Sequence, residues 1–165
     1  MREKKNFILQ AIEDSEVVFI THGFQKAKVV DIVDSIHVSR STFFKYFGNI
    51  YGIMELAIFH QISQCYALMR MNYIHVKNRE EFLKELLAFK NMYYKNNPIL
   101  CQYYTTKDLL PKRFDPLKKT IKRHEDELLE DFLEKNFFSE GEISYFKHSI
   151  TNGLVNGNED KSILF

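Results

Sequence analysis

An all-α chain, short helices first and longer ones after, is predicted by three observations. Apolar residues recur at three- and four-residue intervals along most of the chain, the spacing of a helix face. Only 3 Pro and 6 Gly punctuate 165 residues, which favours helices over many short strands. A short capped segment ends in a sharp break at Gly48-Asn49 before a longer apolar stretch begins. With 45% hydrophobic residues, the chain can bury a core as one or two small domains.

The first helix is written in Ile8, Ala11, Ile12, Ser15, Val18 and Phe19, and ends at His22-Gly23, where glycine accepts the left-handed conformation. The second carries Val29, Ile32, Val33 and Ile36 at i, i+3, i+4 and i+7. A turn through Ser35-Ile36-His37 leads to Ser39, whose hydroxyl can accept from the free N–H groups of a third helix. Val38, Phe43 and Phe47 would point inward there. Arg40, Ser41, Thr42, Phe44, Lys45 and Tyr46 would decorate the other sides. Two short helices joined by a tight turn form a helix-turn-helix, and an outer face of Arg, Ser, Thr, Lys and Tyr suits a major groove. Three helices within about fifty residues make a small domain with one core.

Residues 50–74 are apolar on almost every side, as in a helix central to its domain. Residues 79–95 carry Phe82, Leu83, Leu86, Leu87, Tyr93 and Tyr94, and Asn96-Asn97-Pro98 breaks them. A short helix with Ile99, Leu100, Tyr103 and Tyr104 follows, then a loop over 111–116. A long helix over 116–137 runs through Leu117, Ile121, His124, Leu128 and Phe132. A last one opens near Glu140 with Ile143, Phe146, Ile150 and Leu154. No linker separates two domains; the division expected is 1–49 and 50–165, inside the helix that begins near Ile50.

Charge is uneven. Residues 1–50 hold seven Lys or Arg and six Asp or Glu, residues 77–123 twelve and five, and residues 124–165 three and ten. Solvated helix faces pairing with each other are the expected explanation of the basic middle and acidic tail. Cys65 and Cys101 have no CxxC partner and read as buried thiols of a reducing cytoplasm. No apolar run approaches ~18 residues, so no transmembrane span is expected. The start, Met1 to Asn6, leads into an amphipathic stripe rather than the apolar core of a signal peptide, so the expected location is cytoplasmic. No HExxH, GxSxG or P-loop occurs, and no catalytic residue, metal ligand or cofactor is expected. His124 reads as a hydrogen-bonded core residue, and Glu130, Asp131 and Glu134 as solvated surface.

Over residues 7–58 the chain resembles the TetR (tetracycline repressor) family of bacterial transcription regulators. Phe19, Gly23, Phe24, Asp31, Ile32, Val38, Ser39, Thr42, Phe43, Phe44, Tyr46 and Phe47 fall on its N-terminal pattern without a gap. Four positions depart from it. Lys28 stands where a Thr or Ser usually caps the second helix, and His37 where the turn usually has Gly. Phe44 lacks the hydroxyl of the common Tyr, and Ile50 replaces a usual Lys.

The resemblance implies a DNA-binding regulator, a repressor released by a small-molecule inducer, acting as a homodimer on a palindromic operator in double-stranded DNA. The DNA contacts expected are Lys28, Ser39, Arg40, Ser41, Thr42, Phe44, Lys45 and Tyr46. An apolar or aromatic inducer is expected among the later helices, with Phe59, Tyr66, Phe89, Tyr93, Tyr103 and Tyr104 as candidate walls. The ordinary alternative for these tyrosines is a core in which each hydroxyl finds a partner. Members of the family usually end in two pairing helices. Here one is legible, followed by the helix-breaking run Thr151 to Asn158 and the apolar end Ser162 to Phe165, so the regulatory and dimerisation domain reads as short at its C-terminus. A second function remains open: an all-helical interaction module that keeps the helix-turn-helix as scaffold without operator binding, which Phe44 and Ile50 favour.

Overall fold

The helical stripes become helices nearly where their spacing puts them. A computed structural model describes residues 2–72, 78–135, 138–144 and 147. Its helices are α1 (Arg2–His22), α2 (Val29–Ile36), α3 (Arg40–Phe47), α4 (Ile50–Asn72), α5 (Arg79–Asn96), α6 (Pro98–Thr106) and α7 (Asp115–Lys135). No strand occurs among the described residues, so the fold is all-α. Residues 140–144 are helical, started by a capping box in which Ser139 N–H donates to Glu142 (2.8 Å) and Glu142 N–H to Ser139 Oγ (3.3 Å). Phe146, Ile150, Leu154 and everything from Thr151 on lie outside the described residues.

One expectation is corrected between α6 and α7. Residues 111–116 are not simply a loop: a 3-10 turn covers Lys112–Phe114 and α7 already begins at Asp115. Pro116 therefore sits in the first helical turn, where its missing N–H leaves no bond unmade.

The chain divides into two compact units, Met1–Gln61 with Pro98–Ile121, and Ile62–Asn97 with Lys122–Phe165. Two of the three divisions fall inside α4 and α7, and the third at Asn97 between α5 and α6. In the first unit Phe19, Ile32, Phe43, Ile53 and Ile58 are fully buried. Phe19 stacks on Phe24 with centroids 5.3 Å apart, and Phe24 meets the edge of Tyr103 from α6 at 6.1 Å. Phe114 packs edge-on against Tyr51 of α4 at 5.3 Å. Ser35 Oγ donates to the Asp14 carbonyl (2.7 Å), tying α2 to α1. Gln61 Nε2 donates to Glu16 (2.6 Å), tying α4 to α1, and burial pushes the Glu16 carboxyl above its ordinary range.

Two backbone positions set the angle between α3 and α4. Gly48 ends α3 at φ 73°, a conformation an L side chain adopts only with strain. Asn49 Oδ1 then accepts from Gly52 N–H (3.1 Å), capping α4. Gly52 lies so near α3 that a Cβ there would overlap the Phe47 carbonyl oxygen.

In the second unit Ile62, Cys65, Tyr66 and Met69 of α4 are buried with Phe82 and Leu86 of α5 and Leu129, Phe132 and Leu133 of α7. Phe82 stacks on Phe132 at 6.0 Å, and Tyr66 meets Phe132 edge-on at 6.2 Å. Set into this apolar packing is an ion pair that the sequence did not announce. Lys90 of α5, 2% exposed, pairs with Glu125 of α7, and Tyr94 Oη donates to the same carboxylate (2.8 Å). The Lys90 ammonium also lies 5.0 Å from the Tyr94 ring centroid. Burial, opposed by the Lys90 ammonium and aided by Glu125, pushes the nearby Cys65 thiol up to about 12. The expectation of two buried thiols holds for Cys65 alone, since Cys101 is half-buried on α6.

Two outcomes follow from this packing. Lys90→Met alone strands a buried carboxylate and should cost about 3–5 kcal/mol in urea unfolding. The double variant Lys90→Met, Glu125→Leu should recover most of that loss. A single-variant loss below about 1 kcal/mol would show the pair to be solvated. Gly52→Ala should lower stability by roughly 1–3 kcal/mol because the obstacle is backbone. Gly141→Ala, in a helix with nothing within 4 Å of the added methyl, should be neutral or slightly stabilising.

Candidate nucleic-acid interface

The turn between α2 and α3 is made by His37, which stands in the left-handed region at φ 55°, ψ 45° where a glycine is the commoner choice. Its N–H side closes α2, and Val38 N–H returns to the Val33 carbonyl at 3.2 Å. Ser39 caps α3: its Oγ accepts from Thr42 N–H at 3.1 Å. The same oxygen lies 2.9 Å from both Ser41 Oγ and Thr42 Oγ1. The three hydroxyls therefore form one small network at the start of α3. Phe43 and Phe47 are buried, their rings 5.5 Å apart, and they fix which side of α3 faces solvent.

On that open side stand Arg40, Ser41, Phe44 and Lys45, all exposed, with Thr42 and Tyr46 half-buried. Phe44 is 48% exposed and leans edge-on against Phe43 at 5.3 Å. Tyr46 has a more elaborate setting. Lys45 lies 5.7 Å from its ring centroid, and from the first turn of α1 Lys4 lies 5.6 Å away and Phe7 packs at 5.0 Å. Lys4 was missed in the sequence because nothing in its spacing ties residue 4 to residue 46; only an unexplained cation at the start of an amphipathic helix could have hinted at it.

Lys28 occupies the N-cap position of α2 with extended backbone, φ −117° and ψ 153°. An ammonium has no lone pair to offer, so it caps nothing. Its own N–H donates to Asp31 Oδ2 at 3.2 Å, and its side chain is left to solvent. Lys28 belongs to a different surface feature from the α3 residues, an open pocket shared with His22, Lys26 and Arg113.

The six aromatic residues expected around a ligand fall on both compact units. Phe59, Tyr103 and Tyr104 lie in the first, where Tyr103 and Tyr104 meet edge-on at 5.0 Å. Tyr66, Phe89 and Tyr93 lie in the second, where Phe89 stacks on Tyr93 at 6.2 Å. The Tyr66 hydroxyl is buried and has no hydrogen-bond partner among the described residues, and burial holds it well above the usual phenol range. No group of three or more His, Cys, Asp or Glu capable of holding a metal ion occurs among the described residues. Nor is any helix among them long and apolar enough to cross a membrane.

Residues 11–57 match the model of bacterial regulatory proteins, tetR family. No curated protein matches the chain. Among solved structures, the fatty acid degradation regulator FadR from Bacillus halodurans is 17% identical, with 94% of this chain and 88% of that one covered at a TM-score of 0.59. A candidate TetR-family transcriptional regulator from Mesorhizobium loti is 12% identical, covering 96% of this chain and 88% of that one at a TM-score of 0.58. The transcriptional regulator FadR from Bacillus subtilis, in complex with stearoyl-CoA, is 16% identical, covering 94% and 91% at a TM-score of 0.54. At these identities the likeness is one of fold. The matched segment spans α2, α3 and the turn between them, so the N-terminal part of the chain is similar to the bacterial regulatory proteins of the tetR family.

Proposed function

We propose that the chain is a repressor that binds a palindromic operator and releases it when a small molecule binds. Residues 1–49 are the reading head, and residues 50–165 the regulatory and dimerisation part. The observation that carries this is the construction of α3: two buried phenylalanines hold it while Arg40, Ser41, Phe44 and Lys45 stand in solvent. Arg40 is the side chain best able to read a base edge, because a guanidinium can bond two acceptors at once. Lys45, Tyr46 and Lys28 are backbone contacts, joined by Lys4 beside Tyr46. Ser39, Ser41 and Thr42 use their hydroxyls on each other, so their part is to present the helix and only then to touch DNA.

For the inducer, the second unit offers Tyr66, Phe89 and Tyr93. The unpartnered Tyr66 hydroxyl is a polar atom that a guest could satisfy in otherwise apolar surroundings. The Bacillus subtilis neighbour holds stearoyl-CoA, and a long apolar chain is compatible with such surroundings. Release requires that the ligand bind one conformation better than the other. Action on chromosomal DNA places the protein in the cytoplasm. No catalytic role is assigned to any residue.

Selecting DNA from a random pool should yield a two-fold symmetric site with half-sites about 34 Å apart, and sedimentation at micromolar concentration should give a dimer. On that site Arg40→Ala should cost about 1–3 kcal/mol while random duplex is barely affected. Lys45→Ala should weaken all sequences alike and reduce the salt slope by about one. Weak, salt-sensitive binding that is equal for every sequence would instead favour an interaction module built on the same helices, as the exposed Phe44 allows.

A further inference from the structure

The basic middle of the sequence acquires a location in the fold. Residues 98–121 carry Lys107, Lys112, Arg113, Lys118 and Lys119 against Asp108 and Asp115, and they pack in the same compact unit as the helix-turn-helix. Arg113, on the 3-10 turn before α7, is turned toward the loop between α1 and α2. Its Nη2 donates to the Gln25 carbonyl at 3.3 Å, and its guanidinium lies over the Phe114 ring at 5.2 Å. Phe114 is buried against Tyr51, so the stem of this contact is anchored in the core.

Around Arg113 an open pocket of about 670 Å³ is lined by His22, Gln25, Lys26, Lys28, Val30 and Asp31. Lys26, Lys28 and Arg113 form no ion pair among the described residues. The single carboxylate, Asp31, already accepts from the Lys28 backbone N–H. Three cations thus converge on one carboxylate, which leaves the pocket net positive and attractive to an anion from outside.

We propose that this pocket takes a phosphate group of the DNA backbone, so that Arg113, far outside the helix-turn-helix in sequence, is a DNA contact. The assignment rests on the DNA-binding function proposed above. Lys28 alone supplies a point charge; Arg113 adds a planar fork already held by the Gln25 carbonyl and the Phe114 ring, so little ordering remains on binding. Because α7 continues directly from the turn that carries Arg113, any movement of that helix would also move this contact.

The test is the salt dependence of duplex binding, measured on the selected operator and on random duplex. Arg113→Ala should reduce the slope of log K against log salt by about 0.9 on both DNAs. The ratio of variant to wild-type Kd should then narrow about 3.5-fold from 50 to 200 mM salt. Arg113→Lys should restore most of the slope, which a merely structural role would not allow, and Lys119→Ala, in an exposed position outside the pocket, should leave it unchanged. An unaltered slope in a folded Arg113→Ala protein overturns the proposal. So does Arg113-dependent binding of pyrophosphate at micromolar concentration with no change in the DNA slope, which would make this a small-anion site. Loss of sequence preference in the wild type would defeat the operator reading, while the slope on random duplex would still decide Arg113. Absence of any duplex binding defeats both.

Discussion

At the corner between α3 and α4, the first turn of α4 lies so close to the Phe47 carbonyl that only hydrogen fits on Gly52. Gly48 makes the turn by entering positive φ, and Asn49 caps the helix that follows. Once this corner is closed, Phe47 and Phe43 have one way to be buried, and the opposite side of α3 has one way to face water. Arg40, Phe44 and Lys45 are exposed as a consequence of that burial rather than by any preference of their own. Side chains proposed to recognise DNA must be held in register by elements that do not move, and here the register is set by packing behind the helix.

The second unit is built on a different constraint. Its helices bury apolar surface like any others, but Lys90, Glu125 and Tyr94 add a polar set that must be complete or absent. Such a set contributes little net stability compared with apolar residues of the same volume. What it does impose is pairing: α5 and α7 can meet only where Lys90 finds Glu125. Burial keeps Cys65 protonated despite the opposing pull of Lys90, so a buried cysteine beside a lysine is here not a reactive one. Tyr66, by contrast, has a buried hydroxyl with no hydrogen-bond partner among the described residues.

Charge illustrates how composition can mislead. The excess of Lys and Arg over residues 77–123 looks like helix faces awaiting partners, and several do pair locally, Lys118 with Asp115 and Lys122 with Asp126. Arg113 does not. It crosses to the loop after α1, 88 residues earlier in the chain, and joins Lys26 and Lys28 there. Net charge over a window of sequence carries no information about which of its members share a surface.

Helix positions, the Ser39 cap, the left-handed His37 and the inward Phe43 and Phe47 were legible in the sequence, because each depends on residues within a turn or two of one another. The matched family segment, residues 11–57, is the part where such local rules are densest. What the tertiary structure alone decided involves residues far apart: Lys4 and Phe7 around Tyr46, Arg113 on Gln25, Lys90 on Glu125, and residues 98–121 packing with the first sixty rather than with their neighbours. Periodicity states which side of a helix is apolar and is silent on which other helix covers it. That choice is made by shape and by the few polar groups that cannot be buried alone, and neither is written at any fixed spacing along the chain.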